Sequence, residues 1–426
     1  MTSARCDFGV GSPTGPLDLM SRAVAPRGPL RPDLSSVPDP QPRPTPVEVA
    51  TGVVVGHTDP SPEATIDVGA ASRSGADPLA ALERAVLPAL RRPPCVVSFS
   101  GGMDSSFVLA VAVRLARRER LPAPIPVTWR FTGAPRAEES RWQERIMRAL
   151  GVAQWTVLQA RDDLDLVGPV ARRVLLRHGI LHPANVHLHL PIAQAAAGGS
   201  LLTGAGGDQI FAGWRRHPGK RSCRTPQPLL VRRPRWPLSR QRAPDPFPWL
   251  HPAVSRDVRR EYRAERAAEP RAASARVRWH AGRRDLAMAC AALSAAASDS
   301  DVAVVNPLLD HGFVAALSAY LGAGESPSRA DLLTRVAGGT LPPVITAPRP
   351  KARFLDVFLR APTRAFTSGW DGSGLDEDLV DVTSLRALWS RWPIPPGTAG
   401  LVQQAWLAAS RPQPTSPPTF PTGRPR

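Results

Sequence analysis

Residues 95–113 read CVVSFSGGMDSSFVLAVAV, and this order of residue types decides the fold class. Cys95 to Phe99 form a short apolar run, the composition of a buried parallel strand. Gly101 and Gly102 follow at once, where the backbone must turn tightly and a ligand can approach it. Asp104, Ser105 and Ser106 then stand in the first turn of a segment with helical spacing. N–H groups in such a turn have no intrahelical partners and favour an anion. With hydroxyls beside them they suit a phosphate or pyrophosphate. Asp104 would repel a bare phosphate, so a bridging divalent cation is expected. The GxxxxGK[ST] pattern of a Walker loop is absent.

Working outward, DPLAALERAVLPAL from Asp77 predicts a helix, with Asp77 as N-cap and proline at the first position. IPVTWRF (125–131) and WTVLQA (155–160) read as further strands, and residues 138–151 and 165–179 as helices between and after them. Strands alternating with helices imply a parallel sheet wound by right-handed crossovers. Ligands of such sheets lie beyond the carboxyl ends of the strands. The stretch SLLTGAGGDQIFAGW (200–214) repeats the first arrangement: buried Leu201 and Leu202, a glycine turn, then Asp208. Two such turns, each ending in an aspartate, can hold one Mg²⁺ between them against the phosphates of a nucleotide.

Ser100 to Ser105 match SGGxDS, the pyrophosphate-loop signature of ATP pyrophosphatases, which form AMP. Together with LLTGAGGDQIFAGW, this loop resembles the synthetase domain of the asparagine synthetase B family. PLLDHGFVAAL (307–317) and TLPPVITAPRPKARF (340–354) extend the resemblance, which covers about residues 77–407. It implies an α/β fold of the adenine nucleotide alpha hydrolase type, a parallel sheet with flanking helices, plus a helical C-terminal portion. It assigns Ser100, Gly101, Gly102, Asp104 and Ser105, with Ser106 beside them, to the phosphates of ATP. Asp104 and Asp208 would bind Mg²⁺, and Thr203, Gly204 and the backbone near Phe131 would line the adenosine. Lys351 would stabilise the adenylated and tetrahedral species. It is one of only two lysines among 54 basic residues, which makes its retention unusual on composition alone.

Two departures shape the expected substrate. The family's nucleophilic cysteine follows the initiator Met, whereas Thr2 stands here and Cys6 sits among Pro and Gly. Glutamine hydrolysis is therefore not expected, and the amine must come from solution, a partner or the substrate itself. Ala205 replaces the acid or tyrosine that some relatives use for proton transfer. PWLHP (248–252) and FTSGWDGSGLDEDLVD (366–381) are similar to asparagine-synthetase-like cyclases of lasso peptides. The expected activity is ATP-dependent amide formation, as macrolactam closure of a precursor peptide or other carboxylate substrate. A peptidase or leader-binding protein would be the partner. The alternatives are asparagine synthesis from ammonia or a partner glutaminase, an RNA-modifying ATP pyrophosphatase, and a degenerate nucleotide-binding scaffold.

The net charge of +18 invites a nucleic-acid reading. Its carriers are almost all arginine, set among Ala, Pro and Gly, so a coding bias accounts for much of it and nucleic acid is not expected as a partner. Four cysteines without a CxxC pair support neither zinc nor a redox couple. The first thirty residues lack a continuous apolar run, and no segment approaches a membrane span, so a soluble cytoplasmic protein is expected. Residues 1–76 read as a Pro-rich, largely disordered extension, with VEVATGVVVG (47–56) as its one possible strand. Residues 77–411 form the synthetase-like domain, interrupted by a basic Pro-rich linker at 217–250, and 412–426 a disordered tail. Arg and Glu at helical spacing over 251–280 predict a solvated helix face. His182, His187 and His189 would need a shared strand face to bind a metal, and the run reads as helical, so structural roles are expected.

Overall fold

The computed structural model describes residues 42–58, 77–214, 245–324, 327–349 and 352–410. The expectations for residues 1–41 and 59–76, for the linker as far as residue 244, for Lys351 and for the tail lie outside the described residues.

Helices α1 (Pro46–Thr51) and α2 (Pro78–Leu90) precede β1 (Cys95–Ser98). Next come α3 (Met103–Glu119), β2 (Ile125–Phe131), α4 (Ser140–Leu150), β3 (Thr156–Ala160), α5 (Pro169–His178) and α6 (Leu190–Ala195). β4 (Ser200–Leu202) and α7 (Gly207–Ala212) carry the second glycine loop between them. Beyond the linker, α8 (Pro252–Ala268), α9 (Ala273–Ala281) and α10 (Arg284–Ala297) lead to β5 (Ala303–Val305). The rest is helical: α11 (His311–Leu321), α12 (Arg329–Val336), α13 (Pro343–Thr346), α14 (Leu355–Phe358), α15 (Ala361–Gly369), α16 (Val382–Trp389) and α17 (Ala399–Ser410).

The five strands form one parallel sheet in the order β3-β2-β1-β4-β5. β1 lies in the middle because it can bury both faces. Val97 packs with α2, α3 and α11, while its neighbour Val96 packs on the other side with Val127, Leu201 and α6. Successive strand side chains point to opposite faces, so an unbroken apolar run needs helices on both. Leu201 and Leu202 repeat the division on β4. The chain runs from β1 outward to β2 and β3, then returns across β1 to place β4 and β5 on its other side. The crevice between β1 and β4 is thus the topological switch point, where open α/β sheets bind their ligands.

A second core, built on Trp249, Trp370 and Trp389, joins the C-terminal helices to α1. Here the strand expected at 47–56 is replaced by a helix. Thr45 caps α1 by accepting from the Glu48 backbone N–H, and the Glu48 carboxylate accepts from the Thr45 N–H, with Pro46 at the first position. This capping box and Gly52 in the left-handed region at the other end enclose one helical turn and a half. The Trp249 indole donates to the Ala50 carbonyl at 2.8 Å, which fastens α1 to the domain. The helix expected from residue 165 starts only at Pro169. Asp165 instead buries its carboxylate, which accepts from Val167 N, Arg360 N and Thr363 Oγ1 at 2.6–3.0 Å. The solvated face expected over 251–280 is found on α8, whose arginines and glutamates are mostly exposed or half-buried, but not beyond it, where Glu269, Arg276 and His280 are buried. Among the described residues no helix is long and apolar enough to cross a membrane.

Candidate active site

Both glycine loops leave the carboxyl ends of adjacent strands and meet at the switch point. Ser100 follows β1, and its hydroxyl lies 3.1 Å from that of Ser105 and accepts from Gly102 N at 3.1 Å. Gly101 has φ +82°, in the region that favours glycine. A Cβ there would also come within 2.8 Å of the Gln143 side chain. Gln143 in turn donates to the Ser100 carbonyl (3.0 Å) and to Thr128 Oγ1 (2.9 Å), tying the turn to α4 and β2. These bonds set the loop's shape before any ligand arrives.

The second loop is pressed against the first. A Cβ on Gly204 would stand 2.8 Å from Ser105 N, and one on Gly207 would overlap the Asp104 carboxylate. Thr203 is buried; its hydroxyl donates to Asn306 Oδ1 at 2.5 Å and accepts from Ala205 N at 3.2 Å. Asn306, just after β5, therefore holds the second loop as Gln143 holds the first. Asp104 opens α3 and Asp208 opens α7, each in the first turn. Arg329 joins them. Its Nε donates to Asp104 Oδ1 at 3.2 Å, its Nη2 pairs with Asp104 Oδ2, and its Nη1 with Asp208 Oδ1. Burial opposes the charge of that guanidinium, but Asp104 and then Asp208 outweigh it and raise its pKa.

Arg349 lies at the rim of the first turn, within 3.8 Å of where a Gly101 Cβ would stand. It pairs with Glu139 at 3.3 Å and covers the Trp142 ring at 5.2 Å. Burial pushes the Glu139 carboxyl above its ordinary range, against the pull of Arg349. Phe131, at the end of β2, stacks with Trp129 and meets Phe354 edge-on at 5.8 Å.

Of the residues expected in the site, Ser100, Gly101, Gly102, Asp104, Ser105, Thr203, Gly204 and Asp208 come together here. Ser106 is fully buried one position further on, and its hydroxyl has no hydrogen-bond partner among the described residues. Lys351 is outside the described residues. Sequence reasoning missed Arg329, Arg349, Gln143 and Asn306. For Arg329 a partial signal exists: Ser328 caps α12 and bonds Asp331, so a helix start was legible there, but not its direction. Two of the three histidines are held otherwise, His187 between the carbonyls of Leu164 and Ala184 and His182 by Asp285, while the buried His189 Nδ1 has no hydrogen-bond partner among the described residues. Among the described residues no three His, Cys, Asp or Glu side chains gather as a metal site.

A parallel sheet with glycine loops and converging aspartates at its switch point defines an α/β nucleotide-binding fold of the pyrophosphate-loop kind. The asparagine synthase family model matches residues 79–408, and the chain belongs to that family. Membership implies a ligase-type enzyme that uses ATP for amidation. Comparison with curated proteins finds no significant match.

Proposed function

We propose that the protein adenylates a carboxylate with ATP, releases pyrophosphate, and passes the acyl group to an amine of the same peptide, closing a macrolactam. The observation that carries the adenylation is the convergence of Asp104 and Asp208 on one cation, Arg329, beside the serine-lined turn. With the guanidinium displaced, the same two carboxylates would turn to one smaller ion between them. Their oxygens suit a hard divalent cation such as Mg²⁺, and phosphate oxygens would complete its shell. That ion, when bound, neutralises charge on the phosphates. The Ser100 and Ser105 hydroxyls and the first N–H groups of α3 bind the departing pyrophosphate. Thr203 and Gly204 line the adenosine side, with Phe131 at the neighbouring strand end. Lys351 follows charge from the α-phosphate to the oxyanion of the tetrahedral species. Ala205 takes no proton, so the amine's proton leaves by another group, by water or by the substrate.

The peptide part rests on the two segments that resemble lasso-type cyclases. They meet in the fold: Asp381 N donates to the Trp249 carbonyl at 3.0 Å and His251 N to that of Leu379 at 3.1 Å. The test is incubation with Mg²⁺, ATP and a precursor peptide carrying a side-chain carboxylate and a free amine. AMP and a peptide lighter by one water are expected, and Asp104→Ala should abolish both. Formation of ADP overturns the adenylation. Asparagine made from aspartate and ammonia at an ordinary enzymatic rate overturns the peptide reading.

A further inference from the structure

Arg329 engages the Asp104 and Asp208 oxygens that the proposed metal ion would need. We propose that its guanidinium is a built-in counter-ion that keeps the Asp104–Asp208 pair closed to a free divalent cation until a nucleotide's phosphates draw it away. This rests on the reading that these aspartates hold the metal accompanying ATP.

The geometry leaves little room for both. The Nε and Nη2 edge lies against the two Asp104 oxygens, and Nη1 reaches Asp208 Oδ1. A hard cation needs those oxygens at about 2.0–2.1 Å with lone pairs pointing at it, and N–H donors already take them. Asp104 cannot step aside to make space, whereas the Asp208 side chain is two-thirds exposed and can turn. Asp104 is wedged against the Gly207 backbone, where even a Cβ would overlap it. The arginine can move. Its backbone is pinned at the first position of α12 by the Ser328 cap, and Leu332, Leu333 and Val336 sink that helix into the core. Only the side chain has to swing, and it is the long, rotatable part. A triphosphate offers it bidentate oxygen partners of greater charge than two carboxylates. Metal and nucleotide would thus enter together, and metal alone would be refused.

The probe is Mn²⁺ alone, its free fraction read by electron paramagnetic resonance with the full chain and no nucleotide. Wild type should bind Mn²⁺ weakly. Arg329→Gln should bind one ion per chain roughly tenfold or more tightly, as removing a state that is closed most of the time requires. Adding Asp208→Asn to that variant should abolish the gain. Equal binding by wild type and Arg329→Gln, or no binding by either, overturns the proposal. Should Arg329→Gln not fold, Arg329→Lys carries the test: one ammonium cannot cover both edges, so tighter Mn²⁺ binding than wild type is again expected, and no change overturns it. ATP–pyrophosphate exchange by wild type separates the two readings. Exchange together with tight Mn²⁺ binding by wild type sinks the counter-ion and leaves adenylation standing. The Mn²⁺ pattern as expected, without exchange or AMP, sinks adenylation and leaves the counter-ion.

Discussion

Gly204 shows how little freedom the site has at the level of a single residue. Its missing Cβ lets the second loop approach Ser105 N, a backbone atom that cannot step aside. Gly204→Ala should therefore push Asp208 away from Asp104 while leaving the sheet intact. A displacement of about 1 Å is enough to lower AMP formation roughly a hundredfold. Circular dichroism and the thermal midpoint should stay near wild type; a large loss of stability with activity per folded molecule unchanged would sink this. Lys351 gives a second prediction. A guanidinium is planar and spreads its charge, so Lys351→Arg should lower turnover by roughly two orders of magnitude or more, the scale of one lost oxyanion donor. Lys220→Arg is the control and should be nearly silent; equal, mild effects would remove Lys351 from the mechanism.

Among the elements, α1 differs in type from the strand expected there. The alternation in VEVATGVVVG resembles a strand, but the preceding Thr45 and the Glu three residues later already spelled a capping box. Local capping chemistry won over a short alternating pattern. Thr45→Ala should cost about 1 kcal/mol in urea unfolding, the usual loss for an N-cap hydroxyl. Glu48→Ala should cost more, because the same carboxylate also pairs with Arg284 on α10. Should Glu48→Ala prove the milder of the two, the pair with Arg284 contributes nothing to holding α1 in place. The strands and helices around the two loops were legible because short apolar runs end directly in glycine turns, each followed by a carboxylate in a first helical turn. The helix placed at 165 was legible only from Pro169 onward, since the buried Asp165 answers to Arg360 and Thr363, far along the chain.

For the whole molecule, the histidines set the response to acid. His187 and His280 are buried, and burial lowers both pKa values, against the carbonyls of Leu164 and Ala184 in one case and Glu269 in the other. The unfolded chain takes up protons near the ordinary 6.5, whereas the folded protein refuses them. More protons bound in the unfolded state means that stability is full above that pH and falls below it. Asp165 and Glu139, whose pKa values burial raises, offset part of this at lower pH. The thermal midpoint should drop by several degrees from about pH 7.5 to about pH 5.5. His280→Gln, which can still donate to Glu269, should flatten part of that slope. A midpoint that does not move across this range would refute the assignment.

The sequence alone determined the strand–turn–helix at 95–113, its counterpart at 200–208, and the α/β class with the family resemblance. These depend on neighbours: apolar runs, glycines at tight turns, carboxylates in a first helical turn. Tertiary structure alone decided which carboxylate faces which, and what lies between them. Asp104 meets Asp208 because the chain crosses back over β1 and lays β4 beside it. Arg329 and Arg349 are two of 54 basic residues, and nothing in the local sequence gives the direction in which either side chain reaches. Residues 42–58 are too short to bury a core of their own, so their place on the Trp249 cluster exists only once that surface has formed. A local pattern can specify a turn; a contact between distant segments depends on the order of the sheet that brings them together.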